Sequence, residues 1–194
     1  MSNPLPRSPE LMSRGDSALL VVDVQEKLLP AIRGQARLVW NIRRLLDGAK
    51  ALGVTVAATE QYPQGLGPTT AEIAQRLSGV PSKLTFSCGG CAEIFESLRD
   101  QGRQKVLVVG VEAHVCVQQS VLDLVSDGFR VYVAVDAVGS RFAIDYETAL
   151  RRMDSAGATL TTTEAVLFEW CERAGTPEFK QISALARETA PAEP

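Results

Sequence analysis

Short apolar runs alternate with longer amphipathic segments along most of this chain. Residues 17–24 read SALLVVDV and residues 105–111 read KVLVVGV, so each run is apolar at almost every position. A strand of this composition is covered on both faces, as in a parallel sheet. Between such runs apolar residues recur at helical spacing, as in residues 37–52 ahead of Gly53. The alternation therefore predicts an α/β fold, in which helices cover both faces of a parallel sheet wound by right-handed crossovers.

The whole pattern fits within one domain. The predicted strands are residues 17–24, 54–59, 82–86, 105–111, 129–135 and 158–162. The predicted helices are residues 37–52, 70–77, 92–100, 115–127, 144–156, 163–173 and 177–187. A chain of 194 residues is long enough to bury one substantial core. Residues 1–15 and 188–194 are rich in Pro, Ser, Glu and Ala, and we expect flexible ends around a folded domain at 16–187.

Charge and hydropathy argue against several classes of protein. The formal net charge is −3 and Lys and Arg are scattered along the chain, which argues against binding to nucleic acid or to an anionic membrane surface. The first residues lack the apolar segment of a signal peptide, and no apolar run approaches membrane-spanning length. We therefore expect a cytoplasmic protein. Four cysteines are too few for a disulfide framework, so reduced thiols are expected.

The single histidine, His114, narrows the possible chemistry. A zinc site needs three or four converging ligands, so a His-rich catalytic zinc site is excluded. A Cys-His pair would have to use His114 and Cys116, but residues two positions apart point to different sides of a helix or strand. His114 is equally well explained as a structural residue. The sequence thus indicates chemistry without an imidazole base.

Three reactive side chains lie at or after the ends of separate strands. Asp23 interrupts the first apolar run at its end, Lys83 lies in the short third strand, and Cys116 follows the fourth strand. Ligands of open α/β sheets bind beyond the carboxyl ends of the strands, so we expect the three to meet at one edge. A thiol in the first turn of a helix faces unpaired N–H groups and the helix dipole, which lower its pKa and favour the thiolate.

Each of these side chains also has a structural explanation. Asp23 is explained as a turn residue, Lys83 as a solvated lysine, and Cys116 as an inert buried thiol. The spacing of Cys88 and Cys91 fits a redox pair, but the two glycines between them are more simply explained as a turn. The convergence of an acid, an amine and a thiol is what favours a catalytic site.

Four stretches of the chain closely resemble the isochorismatase-like cysteine hydrolases. They are VVDVQ at 21–25, TEQYPQGLGPT at 59–69, SKLTFS at 82–87 and GVEAHVCVQQSVLDLVSDGFRVYVAVDAVGSR at 110–141. The resemblance extends from about residue 16 to about residue 185 and is greatest to the small isochorismatase-domain proteins. It implies a Rossmann-like, three-layer α-β-α fold with a six-stranded parallel sheet, and a homo-oligomer that is a dimer or larger. It also implies that Asp23, Lys83 and Cys116 form an Asp-Lys-Cys triad.

The resemblance further implies a cis peptide bond between Val111 and Glu112. In the family this bond turns a backbone N–H towards the reacting carbonyl, so the N–H groups of Ala113 and Cys116 are the candidates for an oxyanion hole. Backbone donors of this kind stabilise the negative charge of a tetrahedral intermediate.

The implied mechanism is covalent. Asp23 accepts the thiol proton of Cys116, which then attacks the substrate, while Lys83 stabilises the thiolate and keeps Asp23 ionised. The expected substrate is a small molecule with an amide, ureido or related C–N bond, cleaved through a thioester. Two alternatives stay open: hydrolysis of an isochorismate-type vinyl ether, which needs an acid but no nucleophilic thiol, and a non-catalytic binding or scaffold role.

The loop after the second strand narrows the substrate. The nicotinamidases of this superfamily resemble one another in a histidine-bearing metal site there, whereas residues 60–63 of this chain read EQYP. We therefore expect no metal, no other cofactor and no nicotinamidase activity. The candidate substrate-binding residues are Gln25, Glu60, Tyr62, Val111 and Glu112. For the first three, an equal alternative is that they only hold the loop in place.

Overall fold

The computed structural model describes residues 5–192, which form a six-stranded sheet between two layers of helices. The strands are β1 (Ser17–Val22), β2 (Thr55–Gln61), β3 (Ser82–Lys83), β4 (Lys105–Val111), β5 (Arg130–Gly139) and β6 (Thr159–Thr161). Their order is β3-β2-β1-β4-β5-β6, and every pairing is parallel. The strand order reverses next to β1, which is where ligands bind in open α/β sheets.

Within residues 5–192, eight α-helices connect and cover the strands. They are α1 (Gln35–Leu52), α2 (Pro63–Leu66), α3 (Ala71–Ala74), α4 (Ala92–Asp100), α5 (Gln118–Ser126), α6 (Ala143–Ser155), α7 (Thr163–Cys171) and α8 (Pro177–Ala186). Short 3-10 turns occur at Leu29–Ala31 and Cys88–Gly90, and a π-helical turn at Ala113–Val117 precedes α5. None of the described helices is both long and apolar enough to cross a lipid bilayer.

The core is divided into two clusters by the sheet. Leu19 and Val21 of β1 pack with α1, α7 and α8, whereas Leu20 and Val22 pack on the opposite face with α4, α5 and α6. Every residue of β1 is buried because helices cover both faces, which confirms the predicted three-layer α-β-α fold.

The contact between β1 and β4 requires a glycine at position 110. Gly110 pairs with Val22 and has a φ of 125°, and a Cβ there would lie 2.0 Å from the carbonyl oxygen of Val22. The pairing of β4 with β5 also shifts in register between Val108 and Gly110. Close approach of these backbones brings the end of β1 next to the turn that follows β4.

Some elements differ in length from the prediction. Only Ser82 and Lys83 pair with β2, so the predicted strand at 82–86 is an edge strand of two residues, after which Leu84 and Phe86 are exposed. The predicted helix at 70–77 is the single turn α3, and β5 runs four residues beyond position 135. Apolar content alone does not show where backbone pairing stops.

The segment before β1 contacts the domain. Met12 is fully buried, and its N–H donates to the carboxylate of Glu169. Lys105 donates to the carbonyl oxygen of Leu11, and Glu188 accepts a hydrogen bond from Trp40. The flexibility of the two ends and the domain limits at 16 and 187 stay predictions, and residues 1–4 and 193–194 lie outside the described residues.

Candidate active site

Asp23 and Lys83 form a buried ion pair at the carboxyl edge of the sheet. Lys83 Nζ lies 2.7 Å from Asp23 Oδ2, and the two side chains are 1% and 0% exposed. Asp23 directly follows β1 and has a φ of 53°, a left-handed conformation that is uncommon for residues other than glycine. Its N–H donates to the carbonyl oxygen of Thr59, which fixes the turn against β2.

Cys116 completes the predicted cluster. It lies in the π-helical turn after β4, is 5% exposed, and its thiol interacts electrostatically with the Asp23 carboxylate. The structure thus brings an acid, an amine and a thiol together from three separate strand ends. Their catalytic roles remain a proposal.

The expected lowering of the Cys116 pKa is wrong. Burial raises the pKa of this thiol strongly, and the negative charge of Asp23 raises it further, whereas the charge of Lys83 opposes both. Loss of water disfavours the charged form of a thiol, and here this effect exceeds the stabilisation expected near a helix N-terminus. Cys116 therefore rests as a thiol that needs a base.

Asp23 has the properties of that base. Burial raises the pKa of its carboxyl, although the charge of Lys83 and hydrogen bonds from Lys83 and Thr59 act in the opposite direction. A carboxylate with a raised pKa accepts a proton more readily than an exposed one. The negative charge of Asp23 acts on the Cys116 thiol, so this carboxylate is the candidate to take the thiol proton.

The ammonium group of Lys83 uses all three of its hydrogen-bond donors. Besides Asp23, it donates to Gln61 Oε1 at 2.8 Å and to the carbonyl oxygen of Phe86 at 2.8 Å, and it lies 3.4 Å from that of Thr85. An ammonium has three N–H donors, and three short contacts use all of them. Lys83 therefore acts on Cys116 through its charge and not through a hydrogen bond.

Two of the candidate substrate-binding residues hold the loop after β2. The Gln25 amide donates to the carbonyl oxygens of Gln61 and Gly67 and accepts from the N–H of Gln61. The Glu60 carboxylate accepts from both the N–H and the hydroxyl of Thr69. These hydrogen bonds are the ones expected if Gln25 and Glu60 only hold the loop in place. Contact of either side chain with substrate stays a prediction.

The other candidates lie on the turns around the triad. Tyr62 is 50% exposed, and its ring lies against Gly65, where a Cβ would be 2.4 Å from the ring. The peptide bond between Val111 and Glu112 is cis. The Glu112 carboxylate forms an ion pair with Arg141, whose Nε lies 2.6 Å from Glu112 Oε1, and it accepts a hydrogen bond from the backbone N–H of Arg141 at 3.3 Å. Use of the Ala113 and Cys116 N–H groups as an oxyanion hole stays a prediction.

Four side chains around the triad and beside Glu112 were not predicted. Thr59 donates to Asp23 Oδ1 at 2.8 Å, and Gln61 accepts from Lys83. Thr59 and Gln61 lie two positions apart at the end of β2, so the strand-end rule that selected Asp23 also applies to them. The other two are the buried thiol of Cys88 and the partly exposed guanidinium of Arg141.

The remaining thiols have no disulfide partner. Cys88, Cys91, Cys116 and Cys171 are all free. The Cys88 sulfur lies 3.4 Å from the Thr59 hydroxyl, and burial raises the pKa of Cys88 to about 11. A buried thiol with such a pKa that contacts a hydroxyl and no base is unreactive at neutral pH. His114 is hydrogen-bonded to Ser140 at 3.0 Å, and across residues 5–192 no three His, Cys, Asp or Glu side chains are grouped as metal ligands would be.

Known proteins are similar to this chain in sequence and in fold. Residues 17–165 match the family model for the isochorismatase domain. Isochorismatase domain-containing protein 2 of Homo sapiens is 39% identical over 177 residues, which cover 91% of this chain and 86% of that protein. Isochorismatase domain-containing protein 1 of Danio rerio is 36% identical over 185 residues, which cover 93% of this chain and 64% of that protein. The chain thus spans less than two thirds of that relative's length.

Solved structures agree with these sequence relationships. A structure described as the MAR1 ribonuclease of Caenorhabditis elegans has a TM-score of 0.87 and 37% identity, and the match covers 94% of this chain and 95% of that chain. The YcaC gene product of Escherichia coli, described as an octameric hydrolase of unknown specificity, has a TM-score of 0.84 and 23% identity over 93% of this chain and 92% of that chain. The second likeness concerns the fold alone.

Proposed function

This chain belongs to the isochorismatase family, and from that membership we propose that it is a metal-independent cysteine hydrolase of a small molecule. It cleaves an amide, ureido or related C–N bond through a thioester on Cys116. The observation that carries the proposal is the buried ion pair of Asp23 with Lys83 at 2.7 Å, whose charges both act on the buried Cys116 thiol. A thiol, a base and a fixed cation are the groups that this chemistry needs.

Proton transfer inside the triad does not change its net charge. Before transfer the cluster holds Asp23 carboxylate, Lys83 ammonium and Cys116 thiol, and afterwards it holds a carboxylic acid, an ammonium and a thiolate. Because the sum of charges is zero in both states, the buried site avoids the large cost of an unpaired charge. The Lys83 charge favours the thiolate in its interaction with Cys116.

The reaction then follows in two stages. The thiolate forms a bond to the carbonyl carbon, and the resulting oxyanion is stabilised by backbone N–H groups in the turn at Ala113–Val117. Asp23 returns its proton to the leaving nitrogen as the C–N bond breaks, which leaves a thioester on Cys116. Water, deprotonated by Asp23, then attacks the thioester and releases a carboxylic acid, and the thiol recovers the proton.

Trapping the acyl-enzyme tests this proposal. The protein is incubated with a panel of small amides and ureides, ammonia release is measured, and quenched samples are digested for peptide mass spectrometry. We expect the acyl group on the peptide that contains Cys116, and no ammonia release by Cys116→Ser. Cys171→Ser is the matched control, because Cys171 is a free thiol in α7, outside the triad. Turnover that survives in Cys116→Ser, or an acyl group on another residue, contradicts the mechanism.

RNA cleavage is a second candidate, because the Caenorhabditis elegans structure at 37% identity is described as a ribonuclease. The net charge of −3 offers little attraction for a polyanion, since proteins that bind RNA expose clustered Lys and Arg. Single-stranded RNA incubated with wild type and Cys116→Ser decides the matter. Cleavage by wild type that depends on Cys116 favours this candidate over C–N bond hydrolysis.

A vinyl-ether substrate and a non-catalytic role are also distinguished by the trapping experiment. An isochorismate-type acid needs a cation in addition to an acid, and Arg141 near the triad is already paired with Glu112. Turnover of such a compound without an adduct on Cys116 supports vinyl-ether hydrolysis. A Cys116→Ala variant with full cellular activity supports the binding role.

We also propose that the protein is a homo-oligomer, a dimer or larger. Large apolar side chains are exposed after β3 and β5: Leu84 at 78%, Phe86 at 53%, Phe142 at 60% and Ile144 at 64%. Large apolar side chains that are exposed in the single chain often become covered at a contact between subunits. Light scattering at micromolar concentration should give at least twice the 20.9 kDa chain mass, and a monomer contradicts the proposal.

A further inference from the structure

Gln61 joins the strands that carry the two charged residues of the triad. It is the last residue of β2, it is 7% exposed, and it pairs directly with Lys83 in the register of β2 and β3. Paired residues of neighbouring strands direct their side chains to the same face of the sheet. The Gln61 carboxamide therefore lies beside the Lys83 side chain along the sheet edge.

Two contacts fix the orientation of this carboxamide. Its oxygen accepts from Lys83 Nζ at 2.8 Å, and its nitrogen donates to the carbonyl oxygen of Leu84 at 3.0 Å. The opposite orientation would place an NH₂ group against an ammonium and an oxygen against an oxygen. The amide can therefore act in only one way towards Lys83, as a neutral acceptor.

The backbone of Gln61 is tied to the segment that carries Asp23. The side-chain amide of Gln25 donates to the Gln61 carbonyl oxygen at 3.0 Å and accepts from the Gln61 N–H at 2.8 Å. Gln25 is fully buried and follows Asp23 by two residues. Gln61 thus contacts Lys83 through its side chain and, through its backbone, Gln25 in the segment that carries Asp23.

We propose that Gln61 is a positioning residue, which holds the Lys83 ammonium on the Asp23 carboxylate and occupies one of its three N–H donors with an uncharged acceptor. The inference deepens the proposed function and rests on it, because Cys116 must be the nucleophile for the position of Lys83 to matter. With an uncharged residue at position 61, the positive charge of Lys83 is shared between Asp23 and the thiolate alone. A carboxylate at position 61 would compete for the same charge.

The test measures the reactivity of the thiol and needs no substrate. Iodoacetamide reacts with thiolates, and below the pKa of the thiol its rate follows the thiolate fraction. The rate of Cys116 alkylation is measured by peptide mass spectrometry from pH 6 to pH 9 for wild type, Gln61→Glu and Gln61→Met. Gln104→Glu is the matched control, because Gln104 precedes β4 at the opposite end of the sheet and is exposed. Circular dichroism and thermal melting establish that each variant is folded.

We expect the rates in the order wild type, Gln61→Met, Gln61→Glu. The added carboxylate raises the pKa of Cys116, and we expect alkylation to be about tenfold slower at a fixed pH. Methionine has a similar length but gives Lys83 no acceptor and adds no charge, so a smaller effect of about threefold is expected. Gln104→Glu should stay within about twofold of wild type.

Several results overturn the inference. One is a Gln61→Glu rate within about twofold of wild type, and another is equal slowing by Glu and Met, because packing alone would then explain the effect. If Gln61→Glu does not fold, Gln61→Met decides, and a rate within about twofold of wild type overturns the inference. These outcomes leave the proposed function intact, since the trapped acyl-enzyme tests Cys116 separately.

Discussion

Removal of the Lys83 ammonium should lower the free energy of unfolding, because the buried Asp23 carboxylate loses its partner. The variant Lys83→Met keeps an unbranched side chain of similar length but leaves Asp23, which is fully buried, without its 2.7 Å partner. Breaking a buried pair by removing one member typically costs about 3–5 kcal/mol, because the remaining charge is uncompensated. We expect a loss of this size in the free energy of unfolding at pH 8, measured by urea titration.

The loss of stability in Lys83→Met should depend on pH, and the structure predicts the sign of that dependence. Burial raises the folded-state pKa of Asp23, so the folded chain retains this proton more readily than the unfolded chain does. Without Lys83 that pKa rises further, and a protonated Asp23 needs no cation. The loss of stability in Lys83→Met is therefore greatest at a pH above the raised pKa of Asp23. It decreases as the pH falls through that pKa towards about 3.9, the ordinary pKa of an aspartate.

Two further variants give the comparison. Lys105→Met removes a lysine whose partner, Asp16, is 36% exposed at the other end of the sheet. Burial alone would raise the pKa of Asp16, but hydrogen bonds from Lys105, Ser13 and Ser17 lower it to about 2. The cost of Lys105→Met should therefore be small and flat between pH 8 and pH 5. The double variant Asp23→Asn/Lys83→Met should recover most of the stability that Lys83→Met loses. A flat pH profile for Lys83→Met, or a double variant as unstable as the single one, refutes the reasoning.

Three other changes test the site and its scaffold. Asp23→Asn should lower the rate of ammonia release by about 10²–10⁴-fold and remove the acidic limb of the pH–rate profile. In the wild type this limb arises because Asp23 is protonated, and lost as a base, when the pH falls through its raised pKa. An unchanged acidic limb in the variant contradicts this role. Thr59→Val removes a hydrogen-bond donor to the buried Asp23 carboxylate. It should lower the free energy of unfolding by about 1–3 kcal/mol and move the acidic limb of the pH–rate profile to higher pH. Thr159→Val, at an exposed position of β6, should have neither effect. Gly110→Ala should cost at least about 2 kcal/mol in urea unfolding, because its Cβ would lie 2.0 Å from the Val22 carbonyl oxygen; a cost below about 1 kcal/mol shows that the strands separate easily.

Strand topology alone predicted where three candidate site residues lie, and their roles in a site stay predictions. Asp23, Lys83 and Cys116 were selected because parallel strands bring their carboxyl ends to one edge, and the structure brings the three side chains together there. The same rule applies to Thr59 and Gln61, but uncharged side chains gave no chemical reason to select them.

Prediction failed where the result depends on competing forces. A helix N-terminus favours a thiolate, whereas burial and the charge of Asp23 raise the pKa of Cys116, and only the solvent exposure of the folded site shows which effect is larger. In the same way, the sequence left open whether Gln25 and Glu60 hold a loop or face a pocket. Their hydrogen bonds to Gln61, Gly67 and Thr69 are formed across turns whose path the sequence does not specify.

The sequence by itself determined the layered α/β fold and the family. Burial on both faces of a strand and helical periodicity are local properties of the chain, and a strand such as SALLVV carries them in its residue order. The tertiary structure alone decided the protonation of Cys116, the three acceptors of Lys83 and the close contact of Gly110 with Val22. These depend on distances of a few ångströms between residues far apart in the chain, because hydrogen bonds and desolvation act only at short range.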